Sequence, residues 1–164
     1  LARALVHDPE LLILDEPTTG LDPGARAAFL DAIESRRRQR GLTVVMSTHL
    51  LDEASRADRV ALLDQGRVVA RGTRDELCAS IGAPLVIETD DAHADELERD
   101  GRTATRSRGR VRAAVDATEA ARIAERLIAR SAPVRVGPPT LEDVYEHLTG
   151  RPLQEAETDS EAVA

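Results

Sequence analysis

A short apolar run that ends at two adjacent carboxylates constrains the fold of this 164-residue chain more than any other feature. The run covers residues 11–14, and Asp15, Glu16 and Pro17 follow it directly. A continuous apolar run of this length, stopped by proline, predicts a strand buried on both faces of a parallel sheet.

The two carboxylates fall where α/β proteins place their ligands, just beyond the carboxyl end of a strand. Asp15 and Glu16 are expected to repel each other and to lose hydration there, unless a cation or a proton transfer uses them. The alternative is that Asp15 only caps a turn or a helix. The pair is therefore a candidate site, and the next segment bears on the choice.

The segment after this pair predicts a crossover to a second parallel strand. Asp22 and Pro23 suit the N-cap and the first position of a helix. Residues 42–46 form another apolar run, which leads through Ser and Thr to His49. A strand–helix–strand crossover unit joins two parallel strands, so His49 should lie at the same sheet edge as the carboxylates. A lone histidine is more often structural, but this placement favours chemistry.

Three motifs in this order carry a resemblance to a known family. LLILDEP, TTGLDP and STHLLDEA resemble the Walker B motif, the D-loop and the switch-histidine loop of the ATP-binding subunits of ABC transporters. The resemblance covers about the first eighty residues closely. It implies an α/β fold, the C-terminal part of a P-loop NTPase domain with a parallel sheet. It also implies a Mg²⁺-dependent ATPase whose hydrolysis powers a separate membrane permease.

The resemblance assigns roles to four residues. Asp15 would hold Mg²⁺ through water, and Glu16 would orient and deprotonate the attacking water. His49 would contact the γ-phosphate of ATP and sense its loss. Asp22 would face a partner subunit and help to position the ATP site across a homodimer or a pair of ATPase subunits. The implied catalytic residues are thus Glu16 and His49, the implied ATP contacts are Asp15, Asp22 and His49, and the implied cofactors are ATP and Mg²⁺.

The chain departs from the family pattern in its phosphate-binding elements. It contains no GxxxxGK loop, because all 22 basic residues are arginine, and it also lacks the glycine-rich signature motif. We therefore expect a C-terminal fragment that begins inside the nucleotide-binding domain. The isolated chain is expected to bind ATP weakly and to be inactive as an ATPase.

A change of composition after residue 82 predicts three domains. They are the C-terminal part of the ABC ATP-binding domain (1–82), a small α+β accessory domain (83–150) and a disordered acidic tail (151–164). The accessory domain reads as βαββαβ, the order of a ferredoxin-like layer. Its last helix, from Thr140 to Leu148, resembles the end of ATP-binding subunits of ABC-2 type exporters, including the drug-resistance group. Because that helix has an apolar face, we expect the accessory domain to stabilise a homodimer or to contact the permease.

Charge and composition exclude some partners. The chain has a net charge of −8 and 1% aromatic residues, so it lacks both the basic field and the stacking platforms of a nucleic-acid-binding protein. The arginines between residues 99 and 112 are expected to form a solvated strand face. No apolar stretch approaches the ~20 residues that span a bilayer. Transport would therefore need a separate permease, which by the resemblance holds the ATPase at the inner face of the cell membrane.

Two other classes remain open at this point. The chain could belong to a soluble ABC-type ATPase of repair or translation, although the exporter-like last helix argues against it. It could also be a non-catalytic interaction or regulatory module, since half of a nucleotide site is absent. The sequence does not name a transported molecule.

Overall fold

The computed structural model describes residues 2–99 and 102–150, and by internal contacts the chain divides into two units. The first unit is Leu1–Arg56 and the second is Ala57–Ala164. The predicted tail, 151–164, lies outside the described residues. The domain limit expected at residue 82 rests on composition and stays a prediction.

The first unit contains the predicted crossover between two parallel strands. Its elements in chain order are α1 (Ala2–Leu5), β1 (Leu11–Leu14), α2 (Pro23–Arg40), β2 (Thr43–Met46) and α3 (Leu51–Ala54). The strands pair in parallel from Leu11 opposite Thr43 to Leu14 opposite Met46. The carboxyl ends of β1 and β2 therefore lie side by side, as the sequence pattern predicted.

Helix α2 begins and ends where its capping residues dictate. The Asp22 carboxylate accepts hydrogen bonds from the backbone N–H groups of Gly24 and Ala25, and Pro23 occupies the first turn. Gly41 ends the helix in the left-handed region, with φ 67°. Three arginines in the last turn complement the helix dipole. These local signals fix the length of the crossover and hence the level at which β2 starts.

The prediction that β1 is buried on both faces is wrong for the described chain. Only Leu12 is buried, whereas Leu11 is 51% exposed and Ile13 is 71% exposed. Val45 on the neighbouring strand is 55% exposed. A strand alternates its side chains between two faces, and the described residues cover only one face of this two-stranded sheet. The apolar run shows that both faces of β1 are hydrophobic, but it does not show that both are buried.

The second unit begins with a hairpin and continues into a four-stranded sheet. Its elements are β3 (Val60–Asp64), β4 (Arg67–Gly72), α4 (Arg74–Ala79), β5 (Leu85–Asp90), a 3₁₀ turn (Asp91–His93), α5 (Ala94–Glu98), β6 (Thr105–Ser107), β7 (Arg110–Val115), α6 (Ala117–Ala129), β8 (Arg135–Gly137) and α7 (Leu141–Thr149). The sheet order is β6-β7-β5-β8, with every neighbouring pair antiparallel. The predicted βαββαβ order is confirmed, and the sheet is that of a ferredoxin-like layer.

Helices α5 and α6 pack on this sheet and close a core. A capping box sets the start of α6. The Asp116 carboxylate accepts a hydrogen bond from the Glu119 backbone N–H, and the Glu119 carboxylate accepts one from the Asp116 backbone N–H. The fully buried side chains of the core come from β5, α5, β7 and α6: Ile87, Leu97, Val111, Ile123 and Leu127. The predicted apolar face of α6 is thus the face that meets the sheet.

Helix α7 packs most of its apolar face inside its own unit, while the expected role of the accessory domain in assembly stays a prediction. Leu141, Val144 and Tyr145 are fully buried, and the Tyr145 hydroxyl donates to an Asp64 carboxylate oxygen of the hairpin at 2.9 Å. These buried side chains therefore do not by themselves indicate a permease or a second subunit. The apolar periodicity of this helix therefore indicates intramolecular packing rather than a docking surface.

The expectation of a solvated arginine face is wrong for the members nearest the core. The Arg112 side chain is 17% exposed, and its Nε donates to Glu88 Oε2 at 2.7 Å. Arg102, 11% exposed, donates to a Glu119 oxygen at 3.0 Å. Carboxylates on neighbouring elements bind these guanidinium groups, so the two arginines have a structural role.

Of the helices that the structure describes, none combines the length and the apolarity that crossing a membrane requires.

Candidate active site

The candidate site lies where β1 and β2 end next to each other. Because the two strands are parallel and in register, Asp15 and Ser47 each follow a strand end at the same edge. The Ser47 backbone N–H donates to the Leu14 carbonyl oxygen at 2.9 Å, which continues the ladder one residue beyond β2. The sheet itself therefore sets the spacing of the two polar segments.

The Ser47 hydroxyl links the two carboxylate residues of the first segment. It donates to Asp15 Oδ1 at 2.5 Å and accepts from the Glu16 backbone N–H at 2.9 Å. One hydroxyl thus orients the Asp15 carboxylate and fixes the backbone from which the Glu16 side chain leaves. We assigned Ser47 no role from the sequence, and only its position after a strand could have indicated one.

The structure brings Glu16 and His49 together, as their places at neighbouring strand ends led us to expect. His49 Nδ1 lies 3.7 Å from Glu16 Oε2. The Thr19 hydroxyl donates to the same carboxylate oxygen at 3.2 Å. A carboxylate and an imidazole at this separation can both contact one water molecule that lies beside them. Their roles in catalysis stay predictions.

The backbone of Glu16 is held in an unusual conformation. Its φ of 40° lies in the left-handed region, which costs a non-glycine residue energy. The residue also precedes Pro17, and a following proline restricts its backbone further. Such conformations persist where the surrounding structure enforces them, here through the Ser47 contact. The turn directs the Glu16 side chain to the side of the sheet edge where His49 lies.

The two strand-end carboxylates are more hydrated than the sequence led us to expect. Asp15 is exposed, the Glu16 side chain is 52% exposed and the His49 side chain is 41% exposed. The expected loss of hydration is therefore not present in the described chain, because few side chains cover this edge.

The hydrogen bonds of the Asp22 carboxylate go to the start of α2 and not to Asp15, Glu16 or His49. Its carboxylate oxygen Oδ1 is engaged by Gly24 N at 2.9 Å and Ala25 N at 3.0 Å. The side chain is therefore the N-cap of α2, while its residue remains exposed. Its second role, toward a partner subunit, stays a prediction.

The donor set at the strand ends fits Mg²⁺ only in a water-rich coordination. The described residues include no group of three or more His, Cys, Asp and Glu side chains arranged to hold a metal ion. Mg²⁺ usually keeps several waters and takes one or two carboxylates together with substrate phosphates. The exposed Asp15 carboxylate and the Ser47 hydroxyl beside it supply this kind of partial oxygen set.

One family model matches nearly the whole of the first unit. The family described as "AAA domain, putative AbiEii toxin, Type IV TA system" matches residues 1–53. This range contains both strand ends and the crossover helix. Fold and site together define the class, an α/β protein of the P-loop NTPase type.

Comparison with curated proteins narrows the class. The chain is 40% identical, over 94% of its length, to Nod factor export ATP-binding protein I of Neorhizobium galegae, of which it covers 45%. It is also 40% identical to the protein of that name from Rhizobium johnstonii, of which it covers 50%. Linearmycin resistance ATP-binding protein LnrL of Bacillus subtilis is 38% identical over 89 residues, 54% of this chain and 28% of the relative.

These relatives settle the family resemblance. The chain is homologous, over nearly its whole length, to ABC ATP-binding proteins, and the resemblance read from the three motifs is confirmed. The chain spans about half the length of the Nod factor export proteins that it matches.

Proposed function

We propose that this chain supplies the strand-end part of the ATP site of an exporter-type ABC ATPase. One observation carries the proposal: Glu16 and His49 follow the ends of two adjacent parallel strands, with Nδ1 and Oε2 3.7 Å apart. Phosphoryl transfer to water needs positioned charge and a proton acceptor rather than a covalent nucleophile. The site offers both at one edge of a sheet.

Glu16 acts as the general base of the reaction. It orients a water molecule whose oxygen forms a bond to the γ-phosphorus, while the bond from that phosphorus to the β–γ bridging oxygen breaks. The electron pair of the broken bond stays with ADP, and Glu16 accepts the proton of the water. Asp15, oriented by Ser47, would hold Mg²⁺, and the bound ion would supply charge neutralisation at the phosphates.

His49 and Asp22 complete the assignment. The His49 imidazole donates to the γ-phosphate and so registers whether that group is present. Asp22 holds the start of α2 through its two backbone contacts and faces a paired ATPase subunit. The ATP site is therefore shared between two copies or two related subunits.

The names of the relatives support a proposal for the transport class and the partners. Their names refer to export of a Nod factor and to resistance to linearmycin. For this chain we propose export through a separate integral-membrane permease, with the ATPase bound at the inner face of the cell membrane. The transported molecule is not assigned.

The test compares this chain with a chimera in which the phosphate-binding segment of a matching relative precedes Leu1. We expect no Mg²⁺-dependent ATP binding at micromolar concentration by the 164-residue chain, because it has no lysine and no GxxxxGK loop. The chimera should bind ATP and release phosphate. Calorimetry measures binding, and a phosphate-release assay measures hydrolysis.

A matched control replaces the lysine of the added GxxxxGK loop by alanine, which should abolish the activity. Micromolar, Mg²⁺-dependent ATP binding by the isolated chain would contradict the proposal that it holds only part of the site. A folded chimera that binds ATP without hydrolysing it would favour the non-catalytic module instead.

A further inference from the structure

A buried glutamate lies directly behind the strand-end site. Glu53, in α3, is 3% exposed, whereas its neighbour Asp52 is exposed. Burying an unpaired carboxylate is costly, so such a group must be compensated by hydrogen bonds or charge. The contacts of Glu53 show how it is compensated.

Each oxygen of the Glu53 carboxylate binds a different loop of the site. The hydroxyl of Thr18, which is itself buried, donates to Oε1 at 2.7 Å. The hydroxyl of Thr48 donates to Oε2 at 2.8 Å. Thr18 lies two residues after Glu16, and Thr48 directly precedes His49. One carboxylate therefore joins the segment that carries the proposed base to the segment that carries the histidine.

Two further contacts fix this arrangement. Arg26 Nε of α2 lies 3.4 Å from Glu53 Oε1, which balances the buried charge. The Leu50 backbone N–H donates to the Thr48 hydroxyl oxygen at 3.0 Å, so Thr48 cannot rotate away without losing a second bond. The Glu53 carboxylate thus contacts the loop after β1, helix α2 and the loop after β2.

We infer that Glu53 is a positioning residue that sets the separation of Glu16 and His49. Its consequence for hydrolysis rests on the proposed function, but its effect on the two loops does not. A buried ion pair is weak evidence for stability, because apolar side chains of similar volume often stabilise a core as well. The two threonine bonds instead specify one relative placement of two loops. Displacement of a reacting group by about 1 Å can cost roughly 10²-fold in rate.

The first test measures the loops in the 164-residue chain itself. Nuclear Overhauser contacts between the Glu16 side chain and the His49 ring should be present in the wild type and lost in Glu53→Ala. Glu53→Gln should retain them, because the amide can accept from Thr18 and donate to the Thr48 oxygen. Asp52→Asn, one residue away on the same helix, is the matched control and should be unchanged.

A second pair of variants covers the case in which Glu53→Ala does not fold. Thr18→Val and Thr48→Val each remove one bond with little change of volume, and each should weaken the contact between Glu16 and His49. Contacts that persist in both valine variants, or in a folded Glu53→Ala, would overturn the inference.

The hydrolysis readout uses the chimera described above. Glu53→Ala should lower kcat by roughly 10- to 100-fold and change the KM for ATP by less than about 3-fold, with Glu53→Gln much closer to wild type. If the wild-type chimera does not hydrolyse ATP, the proposed function fails while the spectroscopic test still decides this inference. If it does, and Glu53→Ala behaves like Asp52→Asn, the positioning role alone is wrong.

Discussion

Replacing Glu16 by glutamine in the chimera is expected to reduce ATP hydrolysis by roughly 10²–10⁴-fold while ATP binding survives. Glutamine keeps the size of the side chain and can still bond the Thr19 hydroxyl, but it cannot accept the proton of the attacking water. The unhydrolysed γ-phosphate should then hold two subunits together. We expect an ATP-dependent dimer on a sizing column.

Two controls separate this effect from a general disturbance of β1. Glu10→Gln changes an exposed carboxylate at the other end of the same strand and should leave hydrolysis unchanged. Asp15→Asn should behave differently from Glu16→Gln, because it weakens Mg²⁺-dependent nucleotide binding itself. Hydrolysis near the wild-type rate in Glu16→Gln would assign the role elsewhere, most directly to a water positioned by His49.

Glu146→Gln is expected to stabilise the chain by roughly 1–3 kcal/mol at pH 8 and to have little effect at pH 4. Glu146, in α7, is buried, and its oxygen Oε1 has no hydrogen-bond partner among the described residues. Burial raises the pKa of Glu146 from 4.5 to about 7, against the opposing charge of Arg112. The carboxylates of Glu142, Asp143 and Glu88 add to the rise.

The sign of the pH dependence follows from this raised pKa. Below pH 4.5 the carboxyl group is protonated in both the folded and the unfolded chain, so it contributes no difference. As the pH rises toward 7, the unfolded chain releases the proton first, and the folded state loses stability relative to it. Above pH 7 the full penalty is present, and glutamine removes it.

Urea unfolding of the wild type and the variant between pH 4 and pH 8 measures the difference. The matched control is Glu125→Gln, an exposed position on α6, for which the difference should stay small throughout. A Glu146→Gln difference that does not grow with pH would show that the carboxyl group is ionised in the folded chain without penalty.

The strand ends could be predicted because their position depends on local patterns and one topological rule. Apolar runs that stop at Asp15 and at Ser47 locate two carboxyl ends, and the parallel direction of strands joined by a crossover puts them at one edge. Capping pairs such as Asp116 with Glu119 likewise locate helix starts from four residues of sequence. Each of these signals is local, so a single sequence carries it.

The features that the sequence did not predict are contacts between elements that are distant in the sequence and adjacent in the fold. The apolar face of α7 predicted a docking surface, but Tyr145 packs within its own unit and bonds Asp64, 81 residues away in the sequence. The sequence predicted that Arg112 belongs to a solvated row of arginines, whereas in the structure its guanidinium group binds Glu88 of the neighbouring strand. Glu53 belongs to the motif STHLLDEA, from which the sequence predicted a role only for His49. The buried Glu53 carboxylate accepts a hydrogen bond from Thr18, 35 residues earlier in the sequence. No local pattern contains these pairings.

The most direct test of whether Glu16 and His49 form one hydrolytic site is a double-mutant cycle on ATP turnover by the chimera. The rates needed are those of the wild type, Glu16→Gln, His49→Ala and the double variant at saturating ATP. Residues that serve the same step lose activity non-additively. We expect the double variant to hydrolyse ATP about as slowly as the slower single variant. Reductions that multiply in the double variant would show two independent effects and would contradict a shared site.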